Sequence, residues 1–295
     1  ASQPSLEHKH CVCGAAHESV GDHTTENEVA FTAWNDTEAK SQYNNAADVT
    51  AANSLPSTTG NYYLTGNVTL KNLCKITGDE EITLCLNGYR ILVNDQTPAG
   101  MDAAAIYTES TKPLTLTDCI GNAAIQYIGT DQDFHTGITT GKSKSALHMY
   151  HVTIEGFRKG YAVSNRGIFR MYSGAICHNK GVSGTAGVDN TGKFYMYGGT
   201  ITDNQTGIEN HISIELSGDI QITDNVRNLC IVKTNDDDDY VTIGASDLAT
   251  TAKIGISTLP EPAEGSQVTV IKGGVTDDNA GCFYADDVQY SLIRS

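Results

Sequence analysis

Two segments, AVSNRGIFRMYSGAICHN at 162–179 and GVDNTGKFYMYGGTITDN at 187–204, align position for position at a shift of 25 residues. Val163 falls on Val188, Asn165 on Asn190, Gly167 on Gly192, Met171 on Met196, Gly174 on Gly199, Ile176 on Ile201 and Asn179 on Asn204. Ile208, Asn210, Leu216, Ile222 and Asn225 continue these columns at a shift of 20 to 21, and Leu147, Met149, Tyr150 and Ile154 precede them at a shift of 22. A repeat constrains a chain more tightly than propensity does, because one short unit must bury its apolar residues against its own copies.

The unit consists of short alternating runs (Phe169, Met171; Phe194, Met196) punctuated by Gly and Asn, which suits a strand and not a helix. Stacked coils of a parallel β-helix meet this pattern: each strand pairs with its equivalent about 4.8 Å away, so aligned residues form columns. The expected fold is an all-β, right-handed, single-stranded parallel β-helix over 55–295, preceded by a Cys/His-rich segment and cap over 1–54. Val163/Val188/Ile208, Met171/Met196/Leu216 and Ile176/Ile201/Ile222 are expected to point inward. Asn165/Asn190/Asn210 and Asn179/Asn204/Asn225 are expected at turns, adopting positive φ and linking coil to coil through their amides. The polar stretch between Trp34 and Leu55 reads as a cap, with a short helix, over the open edge of the first coil.

The repeat G-V-x-N-x-G-x-F-x-M-x-G-G-T-I-x-x-N resembles the right-handed parallel β-helix repeats, pectin-lyase-like in architecture, of large surface or secreted proteins of gut Firmicutes. The blocks LPSTTGNYYLTGNVTL…ITLCLNGYRI (55–91) and VTVIKGGVTDDNAGCFYADD (268–287) resemble the stretches that open and close such helices. The resemblance implies an extracellular or cell-surface bacterial module of a larger multidomain chain. Its partners would be host or dietary glycans or surface proteins. Adhesins, spacers and polysaccharide-active modules all share this repeat, so the fold does not assign a chemistry.

Composition removes other classes. With 19 Lys+Arg against 35 Asp+Glu the net charge is −16, which excludes a nucleic-acid backbone binder. No stretch approaches the roughly 18 consecutive apolar residues of a membrane span, so no membrane insertion is expected. Phosphate-binding loops, dinucleotide fingerprints, nucleophile elbows and H-E-x-x-H motifs are absent from the sequence.

The segment HKHCVCGAAHESVGDH carries His8, His10, Cys11, Cys13, His17 and His23. Thiolate and imidazole are the donors that tetrahedral Zn²⁺ prefers, so these six are candidate ligands for a structural zinc ion. Similar segments precede the β-helices of the resembling proteins. A local disulfide, or free thiols with solvated histidines, is the alternative. Cys85 and Cys119 fall at comparable positions of nearby coils and can be read as a disulfide in an oxidising setting; the remaining cysteines read as small buried hydrophobes. The run Asp236–Asp239 lacks the alternating spacing of a Ca²⁺ loop, so calcium is not favoured there.

Any site on a filled β-helix must be built from outward columns. Tyr150, Tyr172 and Tyr197 form one such column, flanked by His148, Arg170, Tyr195 and Glu215. Aromatic rings with polar neighbours are what a sugar ring needs, so Tyr150, Tyr172, Tyr197, Tyr195, Arg170 and His148 are the candidate glycan contacts; a purely stabilising aromatic ladder is the alternative. A second column runs Ser164, Asp189, Glu209. Two carboxylates on adjacent coils match the paired acids of glycoside hydrolysis, so Asp189 and Glu209 are the pair a catalytic reading would use, against a plain solvated surface. His178, Asp203 and Asp224 form a third column. No column gathers the acid, base and cation together, so the leading reading is a non-catalytic adhesive or structural module with glycan binding. A cleft walled by 126–145 or 180–186 around the acids would favour the enzyme.

Overall fold

The computed structural model describes residues 8–13, 28–98, 104–130, 134–182, 184–233 and 240–293. Apart from one antiparallel pairing near the N-terminus, its strands pair in parallel with equivalents one coil away, and the pairings fall into three runs. The first face stacks Gly60–Leu64, Ile82–Cys85, Pro113–Thr117, Ala146–Met149, Ile168–Met171, and the first halves of Lys193–Thr202 and Ile214–Ile222. The second stacks Val68–Thr69, Arg90–Val93, Ala124–Tyr127, Thr153–Glu155, Ala175–Cys177 and the second halves of the same two long strands. The third stacks Cys74–Ile76, Ala104–Thr108, Thr136–Thr140, Tyr161–Asn165, Ala186–Asn190, Thr206–Asn210, Arg227–Val232 and Lys253–Leu259. The chain is a parallel β-helix solenoid.

The inward columns are those the repeat predicts. Val163, Val188 and Ile208, then Met171, Met196 and Leu216, then Ile176, Ile201 and Ile222 are all fully buried. Phe169 and Phe194 stack inside at 4.6 Å. No single coil could shield such residues, so burial is a property of the stack and each coil depends on its neighbours.

The asparagine columns link coil to coil through their amides as expected, but without the expected positive φ. Asn165 donates to Asn190 and Asn190 to Asn210, both at 2.7 Å, and Asn179 donates to Asn204 and Asn204 to Asn225, both at 2.8 Å. None of these six has positive φ. At the corner of the second column the left-handed positions are instead His151, His178, Asp203 and Asp224, with φ of 53–58°. Asn179, Asn204 and Asn225 each follow one of those residues, and the turn at the preceding position aims the first two amides into the interior. Buried amides need partners on every donor and acceptor, and the neighbouring coil supplies them.

Thr32–Trp34 pairs in parallel with Gly60–Leu64, so the stack begins inside the segment read as a cap. Between them Asp36–Gln42 forms the expected short helix, capped by the Asn35 side chain accepting from Thr37 and Glu38 N–H. Trp34, 1% exposed, and Leu55 plug the first coil. At the other end Phe283–Ala285 pairs with Lys253–Leu259 and closes the stack. Among the described residues no helix is long and apolar enough to cross a membrane.

Candidate metal centre and aromatic face

Lys9–Cys11 pairs antiparallel with Glu28–Ala30, which leads directly into the first solenoid strand. Alternation along this strand puts His8 and His10 on one side. That side lies on the first face of the solenoid: His8 stacks on Tyr63 at 4.1 Å with 11° between the rings, and His10 stacks on Phe31 at 4.2 Å.

There the two histidines meet two cysteines from consecutive solenoid coils. Cys85 ends the strand Ile82–Cys85, and Cys119 follows Pro113–Thr117. The turns that carry them are pinned by Asp118, whose carboxylate accepts from Gly88 and Gly121 N–H at 2.7 Å. One donor atom each from His8, His10, Cys85 and Cys119 lies within 4.8 Å of all the others, so this His/Cys cluster can hold a metal ion. Cys85 Sγ and Cys119 Sγ are 3.5 Å apart, and Cys119 Sγ is 3.7 Å from His8 Nε2. A tetrahedron with metal–sulfur bonds of about 2.3 Å and metal–nitrogen bonds of about 2.0 Å has edges of roughly 3.4–3.8 Å.

The electrostatics also suit a cation. The hydrogen bond between the two sulfurs holds Cys119 well below the usual thiol range, and the same bond, with burial, pushes Cys85 up. Burial lowers the His8 pKa and favours the neutral imidazole that binds metals. His10 donates Nδ1–H to the Cys11 carbonyl. Its Nε2, in a side chain 9% exposed, has no hydrogen bond of normal geometry; burial lowers the His10 pKa, but the nearby Cys119 sulfur and the Cys11 carbonyl raise it on balance. A ring fixed through one nitrogen, with no normal hydrogen bond at the other, is the arrangement of a metal-ligating histidine.

Of the six residues singled out near the N-terminus, His8 and His10 are thus brought together. Cys11 and Cys13 are buried beside each other outside this four-residue group, and His17 and His23 lie outside the described residues. Cys85 and Cys119, which the sequence allows to bridge in an oxidising setting, are free thiols here and lie beside the histidines. The acidic run Asp236–Asp239 is outside the described residues too.

The same outward column continues upward. Tyr63 pairs with Cys85 and Cys85 with Thr117; the next coils place Tyr150, Tyr172 and Tyr197 in line. Tyr150 and Tyr172 stack at 4.4 Å, 3° from parallel, and Tyr172 and Tyr197 at 5.0 Å. The flanking column has the predicted register, His148, Arg170, Tyr195, Glu215. Arg170 lies 5.1 Å from the Tyr195 ring centre and donates Nη1–H to His148 Nε2 at 3.3 Å. Burial, then the Arg170 charge, lowers the His148 pKa to about 4, in keeping with an imidazole that accepts from a guanidinium. Tyr150, Tyr172, Tyr197, Tyr195, Arg170 and His148 are all half-buried, and within the tyrosine column the ring faces are turned toward one another.

On the third face Asp189 and Glu209 are register neighbours. His211 Nε2 sits between them, 3.7 Å from Asp189 and 3.5 Å from Glu209, and Ser164 donates to Asp189 at 3.3 Å. Burial, and secondarily the Glu209 charge, raises the Asp189 pKa although His211 opposes it. Beside Glu209 lies a cavity of about 260 Å³ with Gly184, Gln205, Arg227 and Cys230 in its wall. At the second corner His178 lies 3.4 Å from Glu155 and 3.8 Å from Asp203.

Comparison with protein-family models, with curated proteins and with solved structures finds no match for this chain.

Proposed function

We propose that the chain is a non-catalytic, extracellular β-helix module of a bacterial surface protein, adhesive or structural, that binds glycans along its tyrosine face. The observation that carries this reading is the Tyr150–Tyr172–Tyr197 stack, whose spacing of 4.4 and 5.0 Å matches one coil. It forms a ladder of stacked, half-buried rings, with Arg170 and His148 beside it to meet hydroxyl or carboxylate groups. The bacterial surface location rests on the resemblance of the repeat. Tyr172→Ala is expected to lower retention on immobilised mucin, plant and host polysaccharides roughly tenfold, the loss of a ring contact of about 1.4 kcal/mol. Unchanged retention on every polysaccharide that the native chain holds would overturn the reading.

The His/Cys cluster is read as a structural zinc site between the N-terminal segment and the solenoid wall. Two thiolates and two imidazoles are a common structural zinc set, and their charge cancels that of the ion, as burial requires. Oxygen-seeking calcium does not suit these donors.

A second reading, a glycan-active enzyme using Asp189 and Glu209, is favoured by one observation: the cavity beside Glu209 has Gly184, of the 180–186 insertion, in its wall. Product release from the same polysaccharides that ceases in Asp189→Asn and Glu209→Gln would establish it in place of the binding role.

A further inference from the structure

The four clustered donors come from two separate parts of the fold. His8 and His10 belong to the N-terminal hairpin, whereas Cys85 and Cys119 belong to consecutive coils of the solenoid. An ion held by all four ties the hairpin to the solenoid wall, and both solenoid-side donors are thiolates. We propose that this centre is a redox-sensitive zinc latch: bound zinc clamps the hairpin onto the first face, and oxidation of Cys85 and Cys119 to a disulfide releases both ion and hairpin. The inference rests on the zinc reading above and adds to it the ligand set and its regulation.

The geometry supports both states. In the reduced state the four donor atoms converge within 4.8 Å of one another, with the buried His10 Nε2 making no hydrogen bond of normal geometry. The two sulfurs, 3.5 Å apart, need to close by only about 1.5 Å to reach a disulfide bond length. The oxidant is a low-molecular-weight disulfide such as oxidised glutathione. One thiolate attacks it, forming a mixed disulfide and expelling one glutathione thiolate; the second thiolate displaces the other. The net change is two cysteine thiolates oxidised to one disulfide, one glutathione disulfide reduced to two thiolates, and Zn²⁺ passed to solvent. The crosslink uses up both solenoid-side ligands, and His8 and His10 alone cannot bridge hairpin to wall. The ring contacts of His8 and His10 with Tyr63 and Phe31, the strand pairing and the buried Cys11 and Cys13 remain, without the ion that ties the histidines to the wall.

The test uses the full chain, reduced, loaded with zinc sulfate and freed of excess ion. Metal content, peptide mapping of the cysteines and protease cleavage within 8–30 are followed before and after excess oxidised glutathione. The expected result is about one zinc per chain at the start. Glutathione should then release zinc, link Cys85 to Cys119 and speed hairpin cleavage roughly tenfold. Cys119→Ser should bind no zinc at this centre and show the fast cleavage while reduced. His8→Ala, a change at the rim, should weaken zinc binding yet still allow the crosslink. Zinc that stays bound with cleavage unchanged after oxidation overturns the latch and leaves the zinc reading intact. A native chain that takes up no more zinc than Cys119→Ser overturns both.

Discussion

Asn190 donates its side-chain amide to Asn210 at 2.7 Å and accepts from Asn165 at 2.7 Å, with all three residues fully buried. Three coils are therefore joined inside the solenoid by a hydrogen-bond line whose members have no access to water. Asn190→Ala deprives the Asn210 carbonyl oxygen of its donor, while Asn165 Nδ2 keeps the Lys193 carbonyl at 3.0 Å. The expected destabilisation is about 2–4 kcal/mol in urea unfolding, from one orphaned acceptor and a small cavity. A change below about 0.5 kcal/mol would mean that water enters the site.

Gly174 has φ of +101°, and a Cβ placed there would lie 2.3 Å from the Val152 carbonyl oxygen of the neighbouring coil. Backbone meets backbone, so no side chain can yield. Gly174→Ala should cost about 2–4 kcal/mol or disrupt the stack locally. Gly184 also has positive φ, at 84°, yet nothing lies within 4 Å of its would-be Cβ, so Gly184→Ala should cost about 1 kcal/mol, from strain alone. Parallel thermal melts of the two variants distinguish the contributions; equal losses would discount the close approach.

His148 has a folded-state pKa lowered to about 4. Between that value and its ordinary one near 6.5 the unfolded chain binds more protons than the folded chain. The contribution of His148 is thus present in full above pH 6.5 and is lost as pH falls through this window. An NMR titration of the imidazole should show a midpoint near pH 4. Arg170→Met removes the second of its two causes and leaves burial, so the midpoint should move part of the way up. No movement would show that the Arg170–His148 contact is absent in solution.

The acid pair gives opposite results under the two functional readings. If the tyrosine face is the working surface, Asp189→Asn and Glu209→Gln leave polysaccharide retention within about twofold, since a surface change remote from a contact alters binding by less than about 0.5 kcal/mol. Retention assays on the two variants decide this, and a tenfold loss in either would place the ligand on the third face.

The sequence determined the solenoid, its inward columns, and the register of the tyrosine and arginine columns. A β-helix repeats the same contact at every coil, so a 25-residue shift in the string is also a neighbour relation in space. The role of the ladder asparagines was half legible: their coil-to-coil bonding follows from alignment, but the inward aim of Asn179 and Asn204 accompanies the left-handed His178 and Asp203 that precede them. Only the tertiary structure decided the metal centre. The local density of Cys and His in HKHCVCGAAHESVGDH drew attention to ligands near in sequence, whereas the observed group joins His8 and His10 to Cys85 and Cys119. The hairpin lies outside the repeat, so no periodicity says where on the solenoid it comes to rest. That position is set by ring stacking on Tyr63 and Phe31, contacts between residues far apart or unique in the chain, which leave no pattern in the sequence to read.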